Sequence, residues 1–265
     1  MKKQKFLIFG VAFFVTLFVL FGAVLVHQCM DGQKSAKAFD DVAKLVQEVS
    51  ETSEEDSTET VPREVTSYEK YVPILAENSD FVGWLSIDGT QINYPVVQTK
   101  NSPNYYLKRN FEKKFSNYGT PYVQENCDIG LSDNVVIYAH NMKDGSMFAD
   151  LCKYEDEDFY KEHKAIRFDT LSDYGEYEIV AAFKTVAYSD DGFKYYHFVN
   201  AESRTEFDAF IKKCKALAVY DTGVDTKYGD KLLMLSTCEY SRENGRMVVV
   251  AKLVKPAEKG ANANA

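Results

Sequence analysis

The chain has 265 residues, 45% of them hydrophobic, enough for one large domain or two small ones. It carries 31 basic residues against 40 acidic ones, a formal net charge of −9. Binding nucleic-acid phosphates needs a basic stripe and none is present, so no nucleic-acid partner is expected. The cysteines number five, an odd count without a C-x-x-C spacing, which excludes a complete internal disulfide framework and gives no zinc or redox signature.

The N-terminal run Phe6–Val26 (FLIFGVAFFVTLFVLFGAVLV) holds 21 residues without a charge. At about 1.5 Å per residue it spans the roughly 30 Å hydrocarbon core of a bilayer. Lys2, Lys3 and Lys5 precede it. The positive-inside bias therefore predicts a single-pass membrane protein with residues 1–5 as a cytoplasmic tip, 6–26 as the transmembrane segment and the remainder extracellular. The run is longer than a signal-peptide core and no small-x-small cleavage site follows, so it reads as an uncleaved anchor. Without its three flanking lysines the chain holds 28 basic against 40 acidic residues, which favours solubility of the exported part.

Residues 27–65 read as an extracellular stalk. Within it, Phe39, Val42, Leu45, Val46 and Val49 recur at helical spacing and predict a short amphipathic helix over Ser35–Val49. Ser50–Thr60 (SETSEEDSTET) has no apolar residue and predicts a flexible spacer. Cys29, at the membrane boundary, has no readable role.

The folded domain is predicted over residues 66–256. A helix is expected at Ser67–Glu77, then two strands around an Asp88-Gly89 turn, with Pro95 placing the second at an edge or bulge. A buried strand follows in Asp133–Met142, ending at His140, then a helix and linker in Gly145–His163. Residues 165–170 and 175–188 read as strands. Ser203–Tyr220 reads as a helix, with Ser203 and Glu206 spaced for a capping box and Phe207, Phe210, Ile211 and Cys214 on one face. Residues 230–240 and 245–254 close the domain as two strands, and 257–265 read as a disordered tail. About 7–8 strands with few helices, not in strict alternation, predict a mostly β fold: an antiparallel barrel with peripheral helices.

Chemistry concentrates at strand ends. Cys238 closes an apolar strand, and a thiol becomes a strong nucleophile once deprotonated beside a histidine or arginine. His140 also ends an apolar strand, whereas His27, His163 and His197 lie at the membrane edge, in a charged stretch and in a loop. Arg246 opens the strand after Cys238, where a fixed cation can stabilise an oxyanion. Arg242 competes with it from inside the intervening polar loop. Each of the three also fits a structural role when taken alone: a buried thiol, a satisfied histidine, a strand-edge cation. Cys127, Cys152 and Cys214 read as lone, partly buried thiols. The acidic stretch YEDEDFYKE reads as a solvated helix face, with no dense ligand loop for calcium.

The segment LSTCEYSRENGRMVVVAK resembles the cysteine–arginine signature of sortases, in the L-S-T-C form of class B. IYAHNMKDGSMFADL resembles the class B histidine segment, and GTQINYPVVQ, NYYLKRNF and GTPYVQ resemble the N-terminal half. The helix before the cysteine strand resembles a class B insertion, so the likeness covers residues 67–256. It implies a sortase-type closed β-barrel of about 7–8 strands behind the transmembrane helix. It also implies Cys238 as nucleophile, His140 as general acid/base and Arg246 as oxyanion or substrate stabiliser, with Ser236, Thr237 and Tyr240 as substrate contacts. The implied activity is a cell-membrane cysteine transpeptidase that cuts a C-terminal sorting motif after threonine and joins the carbonyl to a peptidoglycan amine through a thioester. Its partners would be surface-protein precursors, the peptidoglycan precursor and the membrane; neither cofactor nor metal is implied.

Three rivals remain open at this stage. An L,D-transpeptidase normally carries Ser-x-Gly-Cys with an arginine two residues on, where this chain has Glu239 and Tyr240. A non-catalytic membrane-anchored interaction module would not need all three candidate groups. A hydrolase would share the acyl-enzyme and differ only in what resolves it.

Overall fold

The computed structural model describes residues 2–55, 65–188 and 192–254. It begins with one helix, α1 (Lys2–Glu55, 54 residues), which contains an apolar stretch long enough to cross a membrane. The expected anchor and the expected amphipathic helix are thus one continuous element. The spacer reading fails over residues 50–55, which stay helical. Adding a residue to an existing helix is far easier than nucleating one, and the glutamates there are good helix formers. Residues 56–64 and the expected tail at 257–265 lie outside the described residues.

The stalk is also packed. Phe39 and Val42 are buried against the domain, at 6% and 8% exposure, and the Phe39 ring meets Tyr94 edge-on at 5.1 Å. Two such side chains stabilise the docking by roughly 1.5–3 kcal/mol each. Helix α2 (Ser67–Glu77) starts on a complete capping box: Thr66 Oγ1 accepts from the Glu69 amide and the Glu69 carboxylate accepts from the Thr66 amide at 3.0 Å.

Eight strands among the described residues form a closed barrel: β1 (Phe81–Ser86), β2 (Asn93–Val97), β3 (Tyr122–Val123), β4 (Asn134–Tyr138), β5 (Ala165–Thr170), β6 (Glu176–Val186), β7 (Leu232–Cys238) and β8 (Gly245–Leu253). Their order around the barrel is β1-β2-β3-β4-β7-β8-β6-β5, with β5 antiparallel to β1 at the closure. Closure removes the free sheet edges that would otherwise pair with other chains. Pro95 lies in β2, whose bond with β3 is limited to Val97↔Tyr122, so its missing N–H breaks no ladder on that side. The expected helix at Gly145–His163 resolves into a 3-10 turn (Ala149–Glu155) and a short α3 (Glu157–Glu162). Helix α4 (Arg204–Leu217) is capped by Ser203 and buries Phe207, Phe210, Ile211 and Cys214, as its spacing predicts.

Two registers position the site. Strands β7 and β8 pair antiparallel from Leu232↔Lys252 to Cys238↔Arg246. Strands β4 and β7 pair parallel from Asn134↔Leu232 to Tyr138↔Ser236. Continuing that parallel register by two residues brings position 140 alongside position 238. Both β4 and β7 are buried along almost their whole length, which is why each reads as an unbroken apolar run.

Candidate active site

Beyond the ends of β4, β7 and β8 the barrel opens into a cavity of about 750 Å3. Cys238, His140, Arg246, Ser236 and Thr237 all line it. The thiol and guanidinium come from paired residues of one hairpin; the imidazole comes from two residues past the end of β4, 98 positions before the thiol. Arg242 is not among the lining residues, so the fixed cation at the cavity is Arg246. Its guanidinium donates to the Gly245 carbonyl at 2.9 Å and lies 5.9 Å from the centre of the exposed Tyr188 ring, so attraction to the ring face helps set its direction.

The imidazole is oriented from across the cavity. His140 Nε2 lies 2.7 Å from the Leu107 carbonyl oxygen. A carbonyl only accepts, so Nε2 carries a proton and, in the neutral ring, Nδ1 is the basic nitrogen. Room for that carbonyl depends on Gly119. Its φ of +65° is left-handed, and a Cβ there would stand 2.7 Å from the oxygens of both Leu107 and Tyr106. Asn141 joins the two strand ends by donating from Nδ2 to the Cys238 carbonyl at 2.9 Å. Thr237 Oγ1 makes a second tie, donating to the Ala139 carbonyl at 2.8 Å.

The floor is aromatic and polar. Ser236 is buried and shares a 2.6 Å hydrogen bond with the Tyr195 hydroxyl. Burial pushes the Tyr195 phenol up to about 12, so it stays neutral there. Tyr122 and Tyr138 are likewise raised, chiefly by burial. Tyr240 differs from the other expected substrate contacts: it is 70% exposed, does not line the cavity, and donates to the Asn141 carbonyl at 2.9 Å.

The loop between Cys238 and Arg246 is tied by a carboxylate. Glu239 accepts from the amide and hydroxyl of Ser241 at 2.7 and 2.8 Å and pairs with Lys184 at 3.5 Å. Burial alone would raise its pKa, but the Ser241 bonds and Lys184 outweigh that and hold it below the usual range. The remaining described thiols are unbonded to each other. Cys127 and Cys214 are buried, and Cys152 is half-buried beside Glu239 and Glu155. Burial raises all three, with the nearby carboxylates adding to the effect at Cys152, pushed up to about 11. They are therefore protonated and poor nucleophiles at neutral pH. Cys29 lies where no side chain is described. Among the described residues no group of three His, Cys, Asp or Glu is placed to hold a metal.

Sequence reasoning finds the groups on strand ends and misses the ones that orient them. Leu107 acts through its carbonyl, which no residue type signals. Gly119, in NYGTPY, carries the one readable hint, a glycine at a turn before Thr-Pro.

A family model described as a sortase domain matches residues 85–254. Sortase B of Listeria monocytogenes is 39% identical over 181 residues, covering 67% of this chain and 71% of that protein. Sortase B of Staphylococcus aureus is 28% identical over 260 residues, covering 96% of this chain and 99% of that protein. Two solved structures superpose over 86% of the chain. One is sortase B from Bacillus anthracis in complex with AAEK1, with a TM-score of 0.71, 31% identity and 99% of that chain covered. The other is a Staphylococcus aureus sortase B–substrate complex, with a TM-score of 0.74, 26% identity and 100% of that chain covered.

Proposed function

The chain belongs to the sortase family, in class B, whose members are cysteine transpeptidases, and from that premise we propose that Cys238, His140 and Arg246 are its catalytic groups. The observation that carries this reading is the pair of registers, Cys238 opposite Arg246 and β4 running parallel to β7 into the same cavity.

The reaction runs as two acyl transfers. The Cys238 proton passes to His140, and the thiolate adds to the carbonyl carbon of the threonine in a sorting motif. Arg246 stabilises the oxyanion of the tetrahedral intermediate, because a half-buried cation already held in place costs little reorganisation as charge develops. The C–N bond then breaks, and His140 gives its proton to the departing amine. A thioester remains on Cys238. An amine of a peptidoglycan precursor attacks it, His140 takes that amine's proton, the C–S bond breaks and the thiolate returns. Nδ1 is the nitrogen that exchanges these protons, since the Leu107 carbonyl engages Nε2–H. Ser236 and Thr237 line the floor under the threonine. Tyr240 contacts the substrate only outside the cavity, given its exposure.

In the proposed topology residues 1–5 are cytoplasmic, 6–26 cross the membrane, 27–65 form the stalk and 66–256 the extracellular catalytic domain, with 257–265 as a tail. Both substrates then meet the enzyme at the outer membrane face, and surface-protein precursors are its clients.

The test uses the full-length chain in detergent with fluorogenic peptides carrying N-P-Q-T-N or S-P-Q-T-G. Cleavage after threonine and an acyl-enzyme mass are expected. Cys238→Ala should abolish both, and His140→Ala and Arg246→Ala should each lose roughly 10^3-fold or more in kcat/KM. Cleavage surviving Cys238→Ala would sink the mechanism. A folded chain showing neither cleavage nor Cys238-dependent labelling by a thiol reagent would favour the interaction-module reading. Products containing water rather than added amine would favour the hydrolase.

A further inference from the structure

The loop that follows His140 is held in an unusual way. Its two ends meet at an isolated bridge, Asn141↔Met147, and the Phe148 amide donates to the His140 carbonyl at 2.8 Å. Two tyrosines grip it from outside. The Tyr118 hydroxyl donates to Asp144 at 2.6 Å, and Asp144 in turn accepts from the amide and hydroxyl of Ser146 at 3.0 and 2.7 Å. The Tyr94 hydroxyl accepts from the Met147 amide at 3.0 Å.

Both tyrosines are backed by the same element, the part of α1 that follows the apolar stretch. Phe39 packs edge-on against Tyr94. Gly32 lies so close to Tyr118 that a Cβ on it would overlap the phenol oxygen. Asp31 fixes the segment carrying Tyr118, accepting from the Asn117 amide at 3.0 Å and from its side-chain amide at 3.3 Å. Tyr118 also lines the cavity. By contrast Gly22, ten residues earlier on α1, has nothing within 4 Å of its Cβ position.

We propose that Asp31, Gly32 and Phe39 of α1 are positioning residues for His140, acting through Tyr118 and Tyr94 on the 141–147 loop. The inference rests on His140 being the acid/base of the proposed reaction. The membrane-proximal helix is then part of the catalytic apparatus and not only a tether. A shift of about 1 Å in a catalytic group is enough to slow chemistry by up to 100-fold, and a loop held by two phenols transmits the position of whatever supports them.

The test uses the full-length chain in detergent, Gly32→Leu, Tyr118→Phe, the double variant, and Gly22→Leu as control. The readouts are kcat and KM on whichever of the two peptides the wild type cleaves faster, the thermal transition, and amide hydrogen exchange across residues 141–147. Gly32→Leu and Tyr118→Phe should each lower kcat roughly 10-fold with KM little changed, and speed exchange in the loop. Because both act through the Tyr118–Asp144 bond, the double variant should lose no more than the worse single one. Gly22→Leu should match the wild type. Tyr118→Phe removes one oxygen and keeps the test informative should Gly32→Leu fail to fold. Wild-type kcat and wild-type loop exchange in Tyr118→Phe, or fully additive losses in the double variant, would overturn the proposal. If His140→Ala itself keeps full activity, the acid/base reading fails instead, and changed loop exchange in Gly32→Leu reports the mechanical link independently.

Discussion

On one side of the cavity Cys238 and Arg246 face each other across a hydrogen-bonded antiparallel ladder. On the other, His140 stands two residues past the last ladder pair of β4 and is set by a carbonyl from a distant turn, a glycine that makes space for it, and a loop gripped by tyrosines. The first wall is fixed by backbone pairing, which depends little on any one side chain. The second is fixed by single contacts, each of which one substitution can remove. Errors in the position of His140, the proposed acid/base, should therefore be easier to create than errors in the spacing of Cys238 and Arg246.

The sharpest way to break this contrast is Gly119→Ala. The added methyl forces a strained left-handed residue and pushes the Leu107 carbonyl off His140. We expect kcat to fall by roughly 100-fold, well beyond what the accompanying loss of stability explains. A wild-type kcat with a lowered thermal midpoint would show that the carbonyl contact is dispensable.

Thr237→Val tests the seam between the walls. It removes the donor to the half-buried Ala139 carbonyl and should cost about 1 kcal/mol in a denaturant titration, with a smaller effect on kcat, because the β4–β7 ladder survives. An effect on kcat as large as that of Gly119→Ala would erase the distinction between the walls.

Glu239→Gln tests the hairpin itself and has the smallest expected effect of the three, a modest loss of stability that is complete at neutral pH and fades in acid. The Glu239 pKa is depressed in the folded chain, so its contribution to stability is complete above the ordinary glutamate value of about 4.3 and is lost as pH falls through the folded value. The wild type should therefore lose stability more steeply than Glu239→Gln below about pH 4.3, as followed by acid unfolding. Identical acid profiles would mean that the Ser241 and Lys184 contacts do not hold the loop.

The same contrast explains what could be read from the sequence. Strands β4, β7 and β8 are long apolar runs buried on both faces, so their ends, and the groups at those ends, stand out. Helix α4 announces itself by spacing and by its serine cap. The support of the second wall comes from residues far apart in the chain, Leu107, Tyr118 and Tyr94, whose roles arise only from their meeting. Residues 50–55 mislead for another reason: their polarity suits a spacer, but a helix already formed continues through them at little cost. The stalk residues Phe39 and Val42 have the right spacing for a helix, and nothing in the spacing says what they pack against.

The pairing of β4 with β7 has a further consequence, for the order in which the fold assembles. Thr237 and Ala139 are 98 positions apart, while Cys238 and Arg246 belong to one tight hairpin. Local hairpins close on the order of microseconds, whereas a non-local parallel pairing must first meet the entropy of a long closed loop. A chain folding from the unfolded state would thus bring thiol and guanidinium together early and gain its imidazole only when β4 docks along β7. Until that late step the proposed nucleophile lacks its proposed proton acceptor, and on that reading acyl transfer waits for the barrel to close.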